Sequence, residues 1–266
     1  MKRHVHADAD HVAMEVTVEG SGPDLLLVSG LGGAGAFWAP VAERLRARFR
    51  VIRFDQRGIG ASARGEAPCT IDQLAADAAD VLRQVAVGPA LLVGHSTGGC
   101  IVQTLARAEP GLVSGLVLSG SWLRPSRYMT SLFRARLALL HASPRDYAAM
   151  SALLAYPPDW LEAHWGTVER AVAGAPVDDA ARRIVAERIE ALLGFDGSAW
   201  VGEIMSPCQV IGAVDDAVVP AFLQYELAEA MPGCAAHHLP DGGHFFPITR
   251  TEPFLAALET WWEQIR

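Results

Sequence analysis

Hydrophobic and polar residues follow two different periods along this chain, which predicts strands that alternate with helices. Residues 12–18 alternate between apolar and polar, and the turn-forming residues 20–23 follow them, so we expect an antiparallel hairpin there. The continuous apolar run at 25–28 is typical of a strand buried on both faces. Further strands are predicted at residues 49–54, 90–93, 116–119, 209–212 and 235–239.

Helical periodicity fills the intervals between these strands. Thr70 and Gln73 have the form of a capping box, and the apolar residues of 71–85 behind them fall on one helical face. Other helices are predicted at residues 41–47, 100–106 and about 252–265. This alternation predicts an α/β fold, with a mostly parallel sheet and helices on both of its faces.

The middle of the chain has a different pattern, because helical segments run from about 124 to 199 without a buried strand. We predict a helical cap at 124–199, inserted after the sixth strand of a core formed by residues 1–123 and 200–266. A lid over a reactive site excludes water and shapes the pocket, although its aromatic residues can equally pack the lid on the core. Those aromatic residues are Tyr128, Tyr147, Tyr156, Trp160 and Trp165.

Composition narrows the class of protein. The 266 residues, 51% of them hydrophobic, suit one domain with an insertion. The net charge of −8 argues against nucleic acid or an anionic membrane as a partner. No apolar run approaches the roughly 20 residues of a membrane span, and the first six residues lead into no apolar signal region. The four cysteines are widely spaced, as in a reduced cytoplasmic protein. We therefore expect a cytoplasmic monomer or homodimer that acts on a small molecule.

The stretch Gly94-His95-Ser96-Thr97-Gly98 fits the pattern Gly-x-Ser-x-Gly and lies between a predicted strand and a predicted helix. On such a sharp turn a serine is held in a strained conformation with its hydroxyl exposed above the sheet edge. We expect glycines on this turn because side chains there would clash with the strand or the helix. Backbone N–H groups at the start of the helix can bind an oxyanion. Ser96 is therefore the predicted nucleophile.

A serine nucleophile needs a base, and the base needs a carboxylate that orients it. Enzymes with this turn carry these groups in the chain order serine, acid, histidine. This chain supplies Asp215 or Asp216 after the strand at 209–212, and then His244 after a strand and two glycines. From that loop either aspartate can reach the ring of His244, or both can cap the helix that follows.

The other histidines carry weaker signals. His95 is expected to pack under the serine turn, and His237 and His238 fall on opposite faces of a strand. The first residues of the chain resemble a metal-binding tail, but they lack closed ligand spacing and are expected to be solvated, so no metal site is predicted. These residues are His4, His6, Asp8, Asp10 and His11.

Over essentially its whole length the chain resembles an α/β-hydrolase. Within that superfamily it is similar to the branch that includes the aminoacrylate hydrolases of pyrimidine catabolism, and the 3-oxoadipate enol-lactonases look similar at the first and third of its motifs. The matching stretches are Ser29-Gly30-Leu31-Gly32-Gly33, Phe37-Trp38, Asp55-Gln56-Arg57-Gly58-Ile59-Gly60, Ser121-Trp122-Leu123-Arg124, Tyr156-Pro157-Pro158-Asp159-Trp160 and Gly242-Gly243-His244.

The resemblance implies roles for several residues. The stretch from Asp216 to Pro220 is similar to the Asp-x-x-Val-Pro that α/β-hydrolases carry after their seventh strand, which favours Asp216 over Asp215 as the triad acid. The backbone N–H groups of Leu31 and Thr97 would form the oxyanion hole. By analogy, the candidate pocket walls are Trp38, Trp122, Tyr156 and Trp160. No metal and no organic cofactor is implied.

Two departures from the family pattern bear on the chemistry. Many members have His-Gly where this chain has Ser29-Gly30, and the backbone there still supplies its donor. The aminoacrylate hydrolase branch often lacks a serine at the turn, whereas this chain has Ser96, which favours acyl-enzyme chemistry.

The predicted activity is that of a serine hydrolase for a small acyl substrate: an ester, lactone, amide or enamine/carbamate-type compound. The alternatives are a cofactor-free haloperoxidase or C–C bond hydrolase with the same triad, and a non-enzymatic ligand receptor.

Overall fold

The chain folds around one eight-stranded sheet. In a computed structural model, which describes residues 2–266, the strands are β1 (Lys2–His6), β2 (Ala13–Glu19), β3 (Asp24–Val28), β4 (Arg50–Phe54), β5 (Ala90–His95), β6 (Val113–Ser119), β7 (Cys208–Ala213) and β8 (Ala235–Leu239). Across the sheet their order is β1-β2-β4-β3-β5-β6-β7-β8. Strand β2 is antiparallel to its neighbours β1 and β4, and every neighbouring pair from β4 to β8 is parallel. The predicted fold class is therefore confirmed.

Helices cover both faces of this sheet. The described residues form α1 (Ala39–Leu45), α2 (Ile71–Val85), α3 (Thr97–Ala108), α4 (Arg127–Ala142), α5 (Pro144–Ala155), α6 (Pro158–Ala163), α7 (Gly166–Ala173), α8 (Asp179–Leu193), α9 (Ala221–Ala230), α10 (Phe246–Thr249) and α11 (Thr251–Ile265). Helices α4 to α8 follow one another between β6 and β7, and we call them the inserted helices. Within residues 2–266, no helix combines the length and apolarity needed to cross a lipid bilayer.

The two faces of the central strands belong to two separate hydrophobic clusters. Leu26 of β3 packs in one cluster with residues of α2 and α3 such as Ile101, while Leu27 packs in the other with residues of α1 and α11 such as Leu258. Successive side chains of a strand point to opposite faces, so a strand covered on both sides must be apolar throughout. Residues 25–28 are completely buried, as that run predicted.

An antiparallel hairpin opens the sheet, as predicted, but β2 forms it with β1 and not across the turn at 20–23. Strand β4 lies between β2 and β3, so the turn at 20–23 joins two strands that are not paired with each other. The antiparallel partners of β2 are β1 and β4. The predicted position of the turn was wrong because alternation identifies a strand with one buried face but carries no information about which strand pairs with it.

Helix α2 begins where the capping box predicted. The side-chain oxygen of Thr70 accepts a hydrogen bond from the N–H of Gln73 at 3.1 Å. The Gln73 amide does not return to the backbone of Thr70 but donates to Asp77 at 3.0 Å. Only one half of the reciprocal box is therefore used, and it satisfies one of the free N–H groups of the first turn.

Residues 2–6 join the sheet as a strand, and most of the predicted solvated residues are indeed exposed, namely His4, His6, Asp8 and His11. His4 and His6 lie in β1, which pairs with β2. Asp10 accepts hydrogen bonds from Arg57 and from the N–H groups of Glu66 and Ala67. Across residues 2–266, no three histidine, cysteine or acidic side chains converge in a way that suits a metal ion.

Candidate active site

Ser96 lies on the turn between β5 and α3, and its backbone conformation is unusual. Its φ of 56° and ψ of −125° are outside the regions that residues with a side chain normally adopt. Such strain persists only where the surrounding structure holds it, and it is common at functional sites. The hydroxyl of Ser96 lines a large cavity at the carboxyl edge of the sheet.

Close packing around this turn explains two of its glycines. A Cβ atom at Gly94 would lie 2.3 Å from the carbonyl oxygen of Gly98, and one at Gly98 would lie 2.3 Å from that of Val28. Neither position tolerates a side chain unless the strand and the helix move apart. The glycines thus let α3 start directly against β3 and β5, as the sequence pattern predicted.

His244 and Asp216 come together from two loops that follow neighbouring strands, β8 and β7. The Nδ1 atom of His244 and Oδ2 of Asp216 are 2.8 Å apart, and both side chains are buried. The Oδ1 atom of Asp216 accepts the N–H groups of Val218 and Val219, each at 2.8 Å. These bonds fix the carboxylate, and they leave Nε2 as the ring nitrogen of His244 that is free to exchange a proton.

The neighbouring aspartate has a different task. Asp215 accepts hydrogen bonds from the N–H groups of Gly242 and Gly243, at 3.1 and 2.9 Å. Both glycines have positive φ angles, of 130° and 65°, a region that favours glycine. Asp215 therefore supports the backbone of the loop that carries His244 and does not touch its ring.

Two backbone N–H groups near Ser96 are free to bind an anion. Thr97 is the first residue of α3, so its N–H has no partner inside the helix. The N–H of Leu31 donates to no acceptor in residues 2–266. Leu31 lines the cavity, and its neighbour Gly30 packs so closely that a Cβ there would come within 2.9 Å of the Ser96 Cβ atom.

His95 packs beside the serine and against His244. Its ring stacks on Phe37, lies 4.8 Å from the His244 ring centre, and its Nδ1 is 3.0 Å from the Ser119 hydroxyl. Complete burial and the proximity of His244 hold the pKa of His95 well below its usual value. His95 therefore stays neutral at neutral pH and places no positive charge beside the ring of His244.

The cavity that Ser96 and His244 share has a volume of about 960 Å³. The inserted helices and the segments between them contribute much of its wall, including Tyr156 after α5 and Trp160 of α6, whose rings stack 4.7 Å apart. The predicted wall residues Trp38 and Trp122 do not line it. Both are completely buried, Trp38 in the cluster with α1 and α11 and Trp122 in the opposite cluster, so they are packing residues and we correct that assignment.

Sequence reasoning missed a buried arginine in the cavity wall. Arg136 of α4 is 9% exposed, and its Nη2 donates to the hydroxyls of Ser151 at 3.0 Å and Tyr147 at 3.5 Å. No carboxylate among residues 2–266 pairs with it, and its Nε has no partner. The signal was present in the sequence, because Arg136 falls on the buried stripe of α4 with Met129, Phe133 and Leu140.

A second missed arginine, Arg188, occupies the buried stripe of α8 beside Ile189 and Leu192. It contacts the loop that carries Leu31. In both cases the sequence places an arginine where the helical pattern expects an apolar residue, which could have indicated a buried arginine.

Comparisons with known proteins agree with this architecture. Residues 23–251 match a family described as the alpha/beta hydrolase fold. A protein of Variovorax paradoxus (strain S110), named as the carbamate hydrolase RutD, is 38% identical over 247 residues, which cover 92% of this chain and 93% of that protein.

Solved structures of other proteins share this fold. The crystal structure of a hydrolase from Pseudomonas aeruginosa PA01 superposes with a TM-score of 0.86 at 26% identity, over 98% of each chain. An enol-lactonase from Burkholderia xenovorans LB400 superposes with a TM-score of 0.87 over 98% of this chain and 100% of its own, and at 22% identity it shows the shared fold alone. The resemblances inferred from the motifs are confirmed.

Proposed function

Since this chain belongs to the α/β-hydrolase family, we propose that it is a serine hydrolase that cleaves a small acyl substrate through Ser96, His244 and Asp216. The observation that carries the proposal is the 2.8 Å contact between His244 Nδ1 and Asp216 at a cavity that Ser96 also lines. A strained serine, an oriented imidazole and a buried carboxylate are the parts that nucleophilic acyl transfer needs.

The reaction proceeds in two halves. The Ser96 hydroxyl attacks the substrate carbonyl carbon while its proton passes to Nε2 of His244. The tetrahedral intermediate then collapses, the bond to the leaving group breaks, and His244 returns the proton to that group. Water attacks the acyl-enzyme in the same way, giving its proton to His244, and collapse releases the acid and restores the Ser96 hydroxyl. Asp216 holds the ring and stabilises the imidazolium formed in each half.

Charge develops on the former carbonyl oxygen in both tetrahedral intermediates. We assign its stabilisation to the N–H groups of Thr97 and Leu31, which are free of other acceptors. Fixed donors of this kind act without reorganisation during the reaction, and removal of one donor in a serine protease lowers kcat by about 10²–10³.

The inserted helices are proposed to act as the cap that sets substrate size and charge. Arg136 provides a buried positive charge without a carboxylate partner, whereas Arg170 and Asp178 occupy exposed positions of the same lining. An acyl substrate with an anionic end would supply the missing counter-charge. Together with the 38% identity to a protein named as a carbamate hydrolase, this favours small carbamate-type or carboxylate-bearing acyl compounds.

The experiment that tests the proposal is intact-mass analysis after incubation with a fluorophosphonate, combined with turnover of p-nitrophenyl acetate. We expect one adduct on the wild-type protein and none on Ser96→Ala. Loss of the serine in a related triad lowers kcat by about 10⁶, so turnover by the variant should fall close to the background. Ser121→Ala removes another buried hydroxyl near α3 and should be labelled like the wild type. Absence of an adduct, with near-normal turnover by Ser96→Ala, would instead show direct attack by a water that His244 activates.

A further inference from the structure

Arg188 is a buried cation at the junction between the inserted helices and the sheet. It belongs to α8, is 2% exposed, and pairs with no carboxylate among residues 2–266. Burial lowers the pKa of Arg188 from its ordinary value, but a guanidinium remains protonated at neutral pH. Burying a charge without a counter-charge is unfavourable, so the polar groups that it contacts must compensate.

Those groups are backbone carbonyls of the loop at 29–33. Nε of Arg188 donates to the carbonyl of Leu31 at 2.7 Å, and Nη2 donates to the carbonyl of Gly30 at 3.3 Å. Nη2 also donates to the side-chain oxygen of Gln56, whose amide nitrogen in turn donates to the carbonyl of Ser29 at 2.8 Å. Arg188 and Gln56 thus hold three consecutive carbonyls of this loop.

This arrangement fixes the direction of one particular N–H group. The carbonyl of Gly30 and the N–H of Leu31 belong to the same peptide unit, and in a planar trans peptide they point to opposite sides. The Gly30 carbonyl accepts both the Arg188 guanidinium and the N–H of Gly33, the latter at 2.9 Å, and the Leu31 N–H is turned away from these donors. A positive charge on the carbonyl side also polarises the peptide and strengthens its N–H as a donor.

We propose that Arg188 is a positioning residue for the oxyanion hole, through which the inserted helices hold the Leu31 N–H in its catalytic orientation. The inference rests on the proposed function, since Arg188 does not line the cavity itself and acts through Gly30 and Leu31, which do. Its consequence is that the cap contributes to the chemical step as well as to substrate selection.

The competing interpretation is that Arg188 only fastens α8 to the core. The neighbouring residue provides a matched control, because Glu187 also fastens α8 to the core. Its carboxylate accepts a hydrogen bond from Nε of Arg64 at 2.9 Å and makes no hydrogen bond to the 29–33 loop. Glu187→Gln therefore removes an ion pair that attaches the same helix to the core, and it leaves the contacts of the 29–33 loop unchanged.

The test compares Arg188→Gln, Arg188→Lys and Glu187→Gln in hydrolysis of p-nitrophenyl acetate and in inhibition by phenylboronic acid, whose tetrahedral adduct mimics the intermediate. An interaction made only in the transition state affects kcat and binding of such a mimic by similar factors.

For Arg188→Gln we expect kcat to fall roughly tenfold to a hundredfold, with KM little changed and the boronate inhibition constant raised by a similar factor. Glu187→Gln should have the kcat and the boronate inhibition constant of the wild type. Arg188→Lys keeps the positive charge, but a single nitrogen replaces the several donors of the guanidinium. Its kcat should therefore lie between those of Arg188→Gln and the wild type.

Several outcomes would overturn the inference. One is a folded Arg188→Gln with wild-type kcat and boronate inhibition; another is an equal loss in Glu187→Gln. If Arg188→Gln does not fold, Arg188→Lys decides, and wild-type kcat and boronate inhibition for that variant contradict the proposal. Failure of the proposed function is a separate result, because it would show as undiminished turnover by Ser96→Ala, whatever Arg188 does.

Discussion

The two adjacent aspartates after β7 hold different parts of the site. Asp216 contacts the His244 ring and is itself fixed by two backbone N–H groups, whereas Asp215 binds the backbone ahead of His244. The first interaction selects the tautomer and orientation of the ring, and the second only shapes the loop that presents it. Substitution of the two residues should therefore give different kinetic results.

We predict that Asp216→Asn lowers kcat by about 10⁴, the loss measured when the orienting carboxylate of a related triad is replaced. Asp215→Asn keeps one carbonyl oxygen that can still accept a glycine N–H, so its kcat should fall far less. Steady-state hydrolysis of a p-nitrophenyl ester by the two purified variants measures kcat for each of them. An equal loss, or a larger one in Asp215→Asn, would reverse the assignment of the acid.

His95 makes folding stability depend on pH. Its pKa in the folded chain is below the ordinary value of 6.5, whereas the unfolded chain takes up a proton near that value. Below pH 6.5 the unfolded state binds more protons than the native state, so stability falls as the pH falls, by up to about 1.4 kcal/mol per pH unit from this group.

The measurement is urea unfolding between pH 7.5 and 5 for the wild type, His95→Gln and a control with the exposed His141 replaced, His141→Gln. We expect a shallower decline of the unfolding free energy toward low pH in His95→Gln. Titrating carboxylates contribute to all three proteins, so the difference in slope reports His95. The same slope in all three would show that His95 is protonated in the native state.

Among the secondary-structure elements, α6 contributes an aromatic stack to the cavity wall through Trp160. Trp160 stacks between Tyr156, at 4.7 Å, and His164, at 4.1 Å, and it is only partly buried. A side chain in that position narrows the cavity and contributes little to the two main hydrophobic clusters.

We predict that Trp160→Ala shifts the preference among p-nitrophenyl acetate, butyrate and octanoate toward the longer chains by roughly tenfold. The unfolding free energy should fall by only about 1 kcal/mol. Trp165→Ala is the matched control, because Trp165 is exposed and lies outside the cavity lining, and its chain-length ranking should equal that of the wild type. An unchanged ranking with a large fall in melting temperature would identify Trp160 as a packing residue.

At the scale of the whole molecule, Arg57 connects three distant parts of the chain. It follows β4 and forms two 2.6 Å hydrogen bonds to Asp77 of α2, and it also binds Asp10 near the amino terminus at 3.1 Å. The Arg57 and Asp77 side chains are completely or almost completely buried. Removing one partner of a buried ion pair leaves the other charge uncompensated.

Arg57→Met should therefore lower the unfolding free energy by about 3–5 kcal/mol. Arg44→Met breaks the exposed ion pair between Arg44 and Glu252. This substitution should change the unfolding free energy by no more than about 1 kcal/mol. Urea unfolding at pH 7 measures both. Similar small changes in the two variants would mean that water or neighbouring groups solvate Asp77 once Arg57 is gone.

The sequence alone determined the parts of this protein whose signals are local. Continuous apolar runs specified the central strands, because a strand covered on both faces has no polar position. The glycines at 94 and 98 marked the turn of Ser96, because two backbone segments meet there too closely for a side chain. Motif resemblance along the whole chain supplied the family.

Tertiary structure decided what depends on contacts between distant segments. Alternation identified β2, but only assembly of the sheet placed β4 between β2 and β3. Asp215 and Asp216 occupy the same loop, and the approach of the loop after β8 determines which one meets His244. Arg136 and Arg188 are arginines on helical stripes until the cavity wall and the 29–33 loop give them partners. Local patterns encode which side of an element is buried, whereas the identity of the opposing group is set by packing across the folded chain.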